Sequence, residues 1–331
     1  GGVLYLGYSL ASRFADSPET VSARTVVFTI PAGATTADIG RDLKELKLIQ
    51  SEVLFEVLVA RRDLDGQLRQ GAFMLRPNMS LDEILDTFRQ AAVVEQTITF
   101  PEGWRLEEMA SRIGGQTDID QAEFLQIATE ESSSFAGDFS FIEMLPPGHS
   151  LEGYLFPDTY QVDSGTTARD LVRRMLQRFE QVVDASLRSA AAEAGLDVHE
   201  LITLASIIER EAMRDDERAL ISGVFHNRLA QGVLLQADPT VQYVLGQDGA
   251  GGRWWKRDIN RSDLQTPSKY NTYVTGGLPP GPIAAPGLKS ITAAANPADT
   301  SYLFFVARGD GSHEFARTNE EHEVNMKRYL K

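Results

Sequence analysis

Two carboxylates stand in an otherwise apolar run of the sequence, where their type and spacing suit acid–base chemistry. The segment "LASIIEREA", residues 204 to 212, contains Glu209 and Glu211 with Arg210 between them. If the segment is helical, both glutamates fall inside its wide apolar arc, whereas Arg210 points away from that arc. One of these two acids is therefore expected to lie in a dry environment.

The neighbours of the two glutamates favour Glu211 as the functional acid. Glu209 has smaller and more polar residues at the i−7, i−4 and i−3 positions. At the same offsets Glu211 has three large apolar residues, Leu204, Ile207 and Ile208. Burial disfavours a charged carboxylate and raises its pKa, which suits a general acid near neutral pH. The structural alternative is an ion pair between either glutamate and an arginine such as Arg228.

The elements around these acids can be read from capping and periodicity. The helix that carries the glutamates is predicted to begin near Val198. Residues 166 to 195 before it are predicted to form one long amphipathic helix that ends at Gly195. A further helix is predicted to end near Gly232. Near the end of the chain, the Asp-Gly pair at 310 and 311 predicts a hairpin, which is followed by a helix.

The segment "LLQADPTVQY" is the first candidate for substrate binding. Such side chains can hydrogen-bond sugar hydroxyls and amides, and Tyr243 offers an apolar platform. The alternative is an Asx-type turn that starts a helix at Pro239, and both roles can coexist. The dense polar set consists of Gln236, Asp238, Thr240, Gln242 and Tyr243.

A second candidate is the loop "TPSKYNTYVTGGLPPGPIAAPG". Four prolines and four glycines between Gly276 and Gly287 predict a rigid loop with exposed backbone. Sugar sites favour such loops because pyranose rings present both apolar faces and hydroxyls. The candidate residues for binding are Tyr270, Asn271, Thr272 and Tyr273.

Composition excludes several classes of function. The chain has 331 residues, a formal net charge of −15 and no cysteine. The acidic charge argues against a nucleic-acid partner. The absence of cysteine excludes disulfides, thiol nucleophiles and Cys-ligated metals. The five histidines form no HExxH motif, and no P-loop or GxSxG motif is present. We expect neither a metal nor a cofactor.

The N-terminal part predicts a small α+β module over residues 25–92. A strand at residues 25 to 31 is followed by a helix capped at Thr35 or Thr36 and by a second helix from Ser51. A short strand and a helix capped at Ser80 complete it. The βααβ order resembles a LysM-like carbohydrate-binding unit. A spacer domain without a ligand is the alternative.

Several blocks together resemble one family, the endolytic murein transglycosylases, also called YceG-like proteins. The blocks are "EGYLFPDTY", "ASIIERE", "VFHNRLAQGVLLQADPTVQY", "YNTYVTGGLPPGPIAAPG" and "YLFFVARGDGSHEF". The resemblance runs from about residue 25 to the end. It implies an α+β fold with a LysM-like module at 25–92 and a YceG-like catalytic domain at 93–331, whose helical part covers about 104–195.

The resemblance also implies site residues. The family's catalytic glutamate is the second acid of the E-x-E pair, which is Glu211 here. Asn227 and Glu152, which lie in the matching blocks, join the candidates for substrate binding. The chain departs from the family at Ala237, Ala285 and Glu323, so no hydrogen-bonding role is carried over to those positions.

The implied reaction cleaves the β-1,4 bond between N-acetylmuramic acid and N-acetylglucosamine in nascent glycan strands. Its product is a 1,6-anhydro-muramic end, and the cleavage terminates elongation of the strand. One carboxyl group, Glu211, serves both steps. One alternative is a hydrolytic muramidase with Asp238 as base or nucleophile. The other is a non-catalytic cell-wall binding protein.

The resemblance further implies location and partners. The opening "GGVLYLGYSLASRF" fits the outer end of an N-terminal membrane helix, although its apolar stretch of about a dozen residues is too short to span a bilayer. Residues 1–24 are thus expected to be the remnant of an anchor and its linker, with a short packed or disordered start as the alternative. We expect a single-pass protein of the bacterial cytoplasmic membrane with its catalytic domain outside. The expected partners are peptidoglycan glycan strands and the peptidoglycan synthases of the elongation machinery.

Overall fold

The computed structural model describes residues 26–31, 33–89, 96–163, 166–249 and 252–330. It is a mixed α+β structure, which confirms the predicted fold class. The chain divides into two compact units. Of the described residues, one unit contains those up to Thr97 and those from Gln161 to Thr166, and the other contains Ile98–Tyr160 and those from Thr167 onward. The predicted anchor remnant at residues 1–24 lies outside the described residues.

The first unit is built on a two-stranded sheet. Strand β1 (Val26–Ile30) pairs antiparallel with β2 (Gly71–Leu75), and Phe28 lies opposite Phe73. Helices α1 (Thr36–Glu45) and α2 (Glu52–Arg61) connect the two strands, and α3 (Leu81–Arg89) follows them. The strands and helices enclose a core that contains Phe28, Phe55, Phe73 and Phe88.

The three helices of this unit begin at the predicted caps. The side chains of Thr35 and Ser51 accept hydrogen bonds from Asp38 N and Leu54 N. Ser80 exchanges hydrogen bonds with Glu83 in the same way. These bonds satisfy backbone N–H groups that have no partner inside a helix. The βααβ order is confirmed, whereas the LysM-like assignment stays a prediction.

The second unit is mainly helical before its final hairpin. Strands β3 (Gln96–Thr99) and β4 (Thr159–Val162), which form a two-stranded sheet, fall at the chain positions where the division between the units is made. The helices up to residue 195 are α4 (Leu106–Gln116), α5 (Gln121–Glu130), α6 (Ser140–Glu143), α7 (Ala168–Val182) and α8 (Ala185–Glu193). The prediction of a single helix over residues 166 to 195 is wrong, because the helix breaks at Val183 and Asp184.

The break follows from competition for backbone hydrogen bonds. The Asp184 side chain accepts from Leu187 N and caps a new helix, while Val183 leaves the helical conformation at ψ 66°. Aspartate favours such capping over a place inside a helix. Gly195 then takes a φ of 81°, which ends the second helix as predicted.

The centre of the second unit is α9 (Val198–Glu211), which begins at the predicted residue. Every residue from Leu201 to Ile208 is buried. Around α9 lie α10 (Arg218–Ala230), α11 (Asp238–Leu245) and α12 (Leu288–Ala295). The predicted hairpin forms from β5 (Phe304–Ala307) and β6 (His313–Ala316), and α13 (Asn319–Tyr329) follows it. Within the described part of the chain, we find no helix whose length and apolar character would let it cross a membrane.

Candidate active site

Glu211 lies at the end of the buried helix α9. The preceding turn contains Ile207 and Ile208, which are both fully buried. The next residue, Ala212, is already extended, so Glu211 marks the carboxyl end of the helix. The helix dipole disfavours a negative charge at that end. Both apolar packing and helix position therefore favour the neutral form of this carboxyl group.

A cavity of about 420 Å³ opens in front of Glu211. Helices α9 and α10, the segment leading into α11, the final hairpin and α13 all contribute to its wall. The polar residues of the wall are Glu211, Arg228, Gln236, Asp238, Tyr273, His313 and His322. Its apolar residues include Leu235, Phe305, Val306, Met326 and Leu330. This mixture of polar groups and apolar surface suits a sugar polymer.

Burial raises the pKa of Glu211 to about 8, and the negative charge of nearby Asp238 contributes. The positive charges of Arg210 and Arg228 act in the opposite direction. Among the described residues, none forms a hydrogen bond or ion pair with the Glu211 carboxyl group. Glu211 is thus protonated at neutral pH and free to donate its proton to a ligand in the cavity.

Asp238 is the first residue of α11 and is exposed to solvent. The helix begins there with Pro239 next in sequence, as the turn hypothesis predicted, but no side chain caps it. Instead, Asp238 Oδ1 accepts a hydrogen bond of 2.6 Å from the Tyr273 hydroxyl. Burial and this carboxylate raise the pKa of Tyr273, so the phenol remains a donor. The bond fixes the position of Asp238 at the cavity.

Arg228 is buried and holds the backbone around the cavity. Its Nε donates to Leu303 O at 2.5 Å, and its Nη1 donates to Leu234 O at 2.9 Å and to Leu235 O at 3.0 Å. The predicted alternative of an ion pair with a glutamate is wrong for Arg228. Its charge nevertheless lies close enough to Glu211 to influence the pKa of that group.

Gln236 is exposed and has a left-handed backbone with φ 52°, which is unusual for a residue other than glycine. Its backbone N–H donates to Thr272 O at 3.1 Å, and its side-chain Oε1 lies 3.4 Å from Arg228 Nη1. These contacts hold the strained conformation that directs Gln236 to the cavity.

Glu209 has a different environment from Glu211. Its Oε2 accepts from Gly287 N at 3.0 Å and from Ser290 Oγ at 2.7 Å, at the start of α12. The same oxygen lies 3.4 Å from Arg218 Nη1. Of the two glutamates, Glu209 is therefore the one that pairs with an arginine, and its contacts fasten α12 to α9.

Three predicted binding residues are buried rather than placed at the cavity. Thr240 and Thr272 bond to each other through their hydroxyls at 2.8 Å, and Thr272 Oγ1 also accepts from Ala237 N. Asn271 donates to two carbonyls of its own loop, Leu264 O and Thr266 O. These groups shape the loop that carries Tyr273 and do not face the cavity.

The remaining predicted residues also lie away from the cavity wall. Asn227 donates to Thr300 O at 2.8 Å and to Tyr302 O at 3.0 Å, which positions the final hairpin. The rings of Tyr243 and Tyr270 pack together with centroids 5.1 Å apart. Glu152 is buried and accepts from Leu106 N at 3.3 Å, and burial raises its pKa well above its ordinary value.

Sequence reasoning missed the two histidines of the cavity. His313 Nδ1 lies 2.8 Å from Glu217 Oε2. The His322 ring stacks on Phe304 with centroids 5.1 Å apart. Burial and the charge of Arg228 lower the pKa of His322, so its ring is neutral at pH 7. The sequence feature that could have indicated them is one histidine in each of the last two elements, His313 in β6 and His322 in α13.

Comparison with known proteins identifies the family. The sequence profile of the YceG-like family matches residues 28–328 of this chain. The chain belongs to the YceG-like family. An endolytic murein transglycosylase of Bacillus subtilis is 33% identical over 341 residues, which cover 100% of this chain and 91% of that protein. An endolytic murein transglycosylase of Streptococcus pneumoniae D39 is 29% identical over 98% of this chain. This chain covers 62% of the streptococcal protein.

A solved structure of the family has the same fold. The 2.6 Å crystal structure of a YceG-like protein from Listeria monocytogenes is 31% identical in sequence, with a TM-score of 0.62. The alignment covers 92% of this chain and 99% of the Listeria chain. These matches confirm the predicted family and mixed α+β fold of this YceG-like chain.

Proposed function

We propose that this chain is a peptidoglycan lytic transglycosylase that cleaves inside glycan strands. The observation that carries the proposal is Glu211, a protonated and unpaired acid in a polar cavity. Relatives of similar sequence named endolytic murein transglycosylases support peptidoglycan as the substrate and a lyase as the enzyme class. The scissile bond is the β-1,4 bond between N-acetylmuramic acid and N-acetylglucosamine.

Glu211 acts in both halves of the proposed reaction. The protonated acid first gives its proton to the glycosidic oxygen, the bond from C1 to that oxygen breaks, and N-acetylglucosamine leaves as an alcohol. The resulting Glu211 carboxylate then takes the proton from the C6 hydroxyl of the muramic residue. The C6 oxygen closes on C1, which gives a 1,6-anhydro end and restores the acid. No water is consumed.

The other groups of the cavity support charge and orientation in this scheme. Positive charge develops at C1 when the bond breaks, and the acetamido group of the muramic residue can share it. Asp238, fixed by Tyr273, supplies a negative charge at the same cavity. Gln236 offers an amide for a hydrogen bond with the acetamido group.

Asp238 also favours a second candidate, a hydrolytic muramidase. Its carboxylate lines the same cavity as Glu211, and glycoside hydrolases use two carboxyl groups. In that reaction Asp238 serves as base or nucleophile, and water becomes part of the product. The bond with Tyr273 gives Asp238 a positioning role instead, so we favour the lyase.

The experiment is a digest of purified glycan strands followed by mass analysis of the ends. The lyase predicts anhydro ends, and Glu211→Gln should abolish them in a protein that remains folded. Reducing ends would support the muramidase, and intact strands would support a non-catalytic binding protein.

The proposal extends to location and partners. An N-terminal membrane helix would place the catalytic unit outside the cytoplasmic membrane, beside nascent strands and the synthases that make them.

A further inference from the structure

All three tryptophans of the chain lie on one surface, away from the Glu211 cavity. They are Trp104, Trp254 and Trp255. Trp254 and Trp255 line one cavity of about 460 Å³, and Trp104 and Trp254 line a second one of about 610 Å³. Each ring is partly buried and keeps part of its surface open. We call these three rings, with Arg112 and Arg210, the tryptophan surface.

An arginine stacks on each ring of this surface. The guanidinium carbon of Arg112 lies 4.5 Å from the ring centroid of Trp104. That of Arg105 lies 4.8 Å from the Trp254 centroid, and that of Arg210 lies 3.9 Å from the Trp255 centroid. Trp255 Nε1 also donates to Glu108 Oε2 at 3.0 Å. These contacts hold the rings in fixed orientations, so the surface is preorganised for a flat partner.

The arginines of this surface have few negative partners. Among the described residues, neither Arg112 nor Arg210 forms an ion pair with a carboxylate. Arg210 Nε is buried and has no hydrogen-bond partner there. The exposed Arg253 and Arg257 stand on the rim of the Trp255 cavity, and the described residues provide no ion pair for them either.

This excess of positive charge contrasts with the rest of the molecule. The chain as a whole has 47 acidic residues against 32 lysines and arginines. Glu108 is the one carboxylate among the described residues that line the two cavities, and its charge acts on Arg210. Arg112, Arg253 and Arg257 line the same cavities, so positive charge remains in excess there and favours a bound anion. Arginine binds carboxylates with two parallel hydrogen bonds. The ligand is thus expected to carry carboxylates as well as flat apolar faces.

We infer that the tryptophan surface is a second binding site for peptidoglycan, which recognises strands that still carry their stem peptides. The tryptophan rings would stack on pyranose faces, and the arginines would bind the peptide carboxylates. This inference rests on the proposed function, since that supplies the substrate class. Arg210 and Glu211 are consecutive residues of α9, so adjacent positions of the last helical turn line the second site and the catalytic cavity.

Intrinsic fluorescence provides a direct test, because every tryptophan of the chain lies at the proposed site. The Glu211→Gln protein is titrated with three probes: tetrasaccharide strands with stem peptides, the same strands without peptides, and a glycerol-phosphate polymer. We expect a saturable change with the peptide-bearing strand and about tenfold weaker binding of the peptide-free strand, which corresponds to about 1.4 kcal/mol.

Two variants and a control locate the signal. Arg112→Ala and Trp254→Ala, each in the Glu211→Gln background, should weaken binding of the peptide-bearing strand at least about tenfold. Arg317→Ala removes an exposed arginine that stacks on Tyr302 at 5.2 Å elsewhere, and it should leave binding unchanged. Circular dichroism verifies that each variant is folded.

The outcomes separate this inference from the proposed function. Absence of a fluorescence change, or equal binding by Arg112→Ala and the parent, would overturn the second site while wild-type cleavage still supports the lyase. Tighter binding of the phosphate polymer would overturn the assigned ligand class. Undiminished cleavage by Glu211→Gln would instead overturn the catalytic assignment, whatever the titration shows.

Discussion

Glu211 and Asp238 face one cavity from the ends of two helices, Glu211 as the last residue of α9 and Asp238 as the first residue of α11. Glu211 is partly buried and has no partner among the described residues, whereas Asp238 is exposed and accepts a bond from Tyr273. The first group is suited to hold a proton and the second to hold a negative charge. This difference in environment is the basis of the mechanism and of its tests.

Replacement of the two glutamates of α9 should give opposite results. Glu211→Gln keeps the shape of the side chain but cannot donate and recover a proton, so activity on glycan strands should fall about 10²–10⁴-fold or more. Glu209→Gln removes a carboxylate that accepts two hydrogen bonds and pairs with Arg218, so it should destabilise the fold by about 1–3 kcal/mol. Rates per folded molecule and denaturation midpoints distinguish the two effects.

One outcome would contradict the roles assigned to the two glutamates. Loss of cleavage in folded Glu209→Gln, together with an active Glu211→Gln, would exchange the assigned roles. Ser290→Ala serves as a control, because it leaves both carboxylates in place and removes only the bonds that Ser290 makes with Glu209 and Arg218.

Activity should decline as the pH rises through about 8. Burial raises the pKa of Glu211 from 4.5 to about 8, and only the protonated form can start the reaction. The decline of kcat/KM at high pH, its alkaline limb, therefore gives the pKa of Glu211 in the free enzyme. An alkaline limb near pH 5, as for an ordinary carboxyl group, would show that Glu211 is not held protonated.

The same pKa shift predicts how stability depends on pH. Because the folded chain binds the Glu211 proton more tightly than the unfolded chain, Glu211 lowers stability progressively between about pH 4.5 and 8. The slope of this effect is at most about 1.4 kcal/mol per pH unit. Glu211→Gln should therefore match the wild type in thermal stability at pH 4.5 and exceed it at pH 8. Parallel stability curves for the two proteins would contradict the shift.

Changes at Asp238 and Tyr273 should move the alkaline limb in opposite directions. Asp238→Asn removes a negative charge that raises the pKa of Glu211, so the limb should move to lower pH. Tyr273→Phe removes the hydrogen bond that helps to offset the Asp238 charge, so the limb should move to higher pH. Shifts of the same sign in both variants would contradict the electrostatic connection between these groups.

Local chemistry accounts for the features that the sequence predicted well. The helices that begin after Thr35, Ser51 and Asp197 do so because these side chains cap them, and a cap depends on residues only a few positions apart. The break at Asp184 was missed because the apolar periodicity continues through it, and the competing cap depends on a single side chain.

The candidate site was predictable only where it is local. The packing of Ile207 and Ile208 beside Glu211 follows from its own helix, so it could be expected from the spacing. The partners of Glu209 could not, because Gly287 and Ser290 come from a distant segment. The opposite wall of the Glu211 cavity cannot be predicted in this way, since His322 belongs to a helix more than a hundred residues further along the chain. Thr240 and Asn271 have residue types that suit sugar binding, but their burial depends on packing between distant segments.

The measurement that tests the lyase mechanism most directly is cleavage of purified glycan strands in ¹⁸O-labelled water. Closure of the muramic C6 oxygen on C1 leaves no place for water in the product. The new muramic ends should therefore carry no label, have no reducing group and weigh one water less than muramidase products. Asp238→Asn should slow the reaction without changing this product. Labelled reducing ends from the wild-type protein would contradict the single-acid mechanism and establish hydrolysis with a second carboxylate.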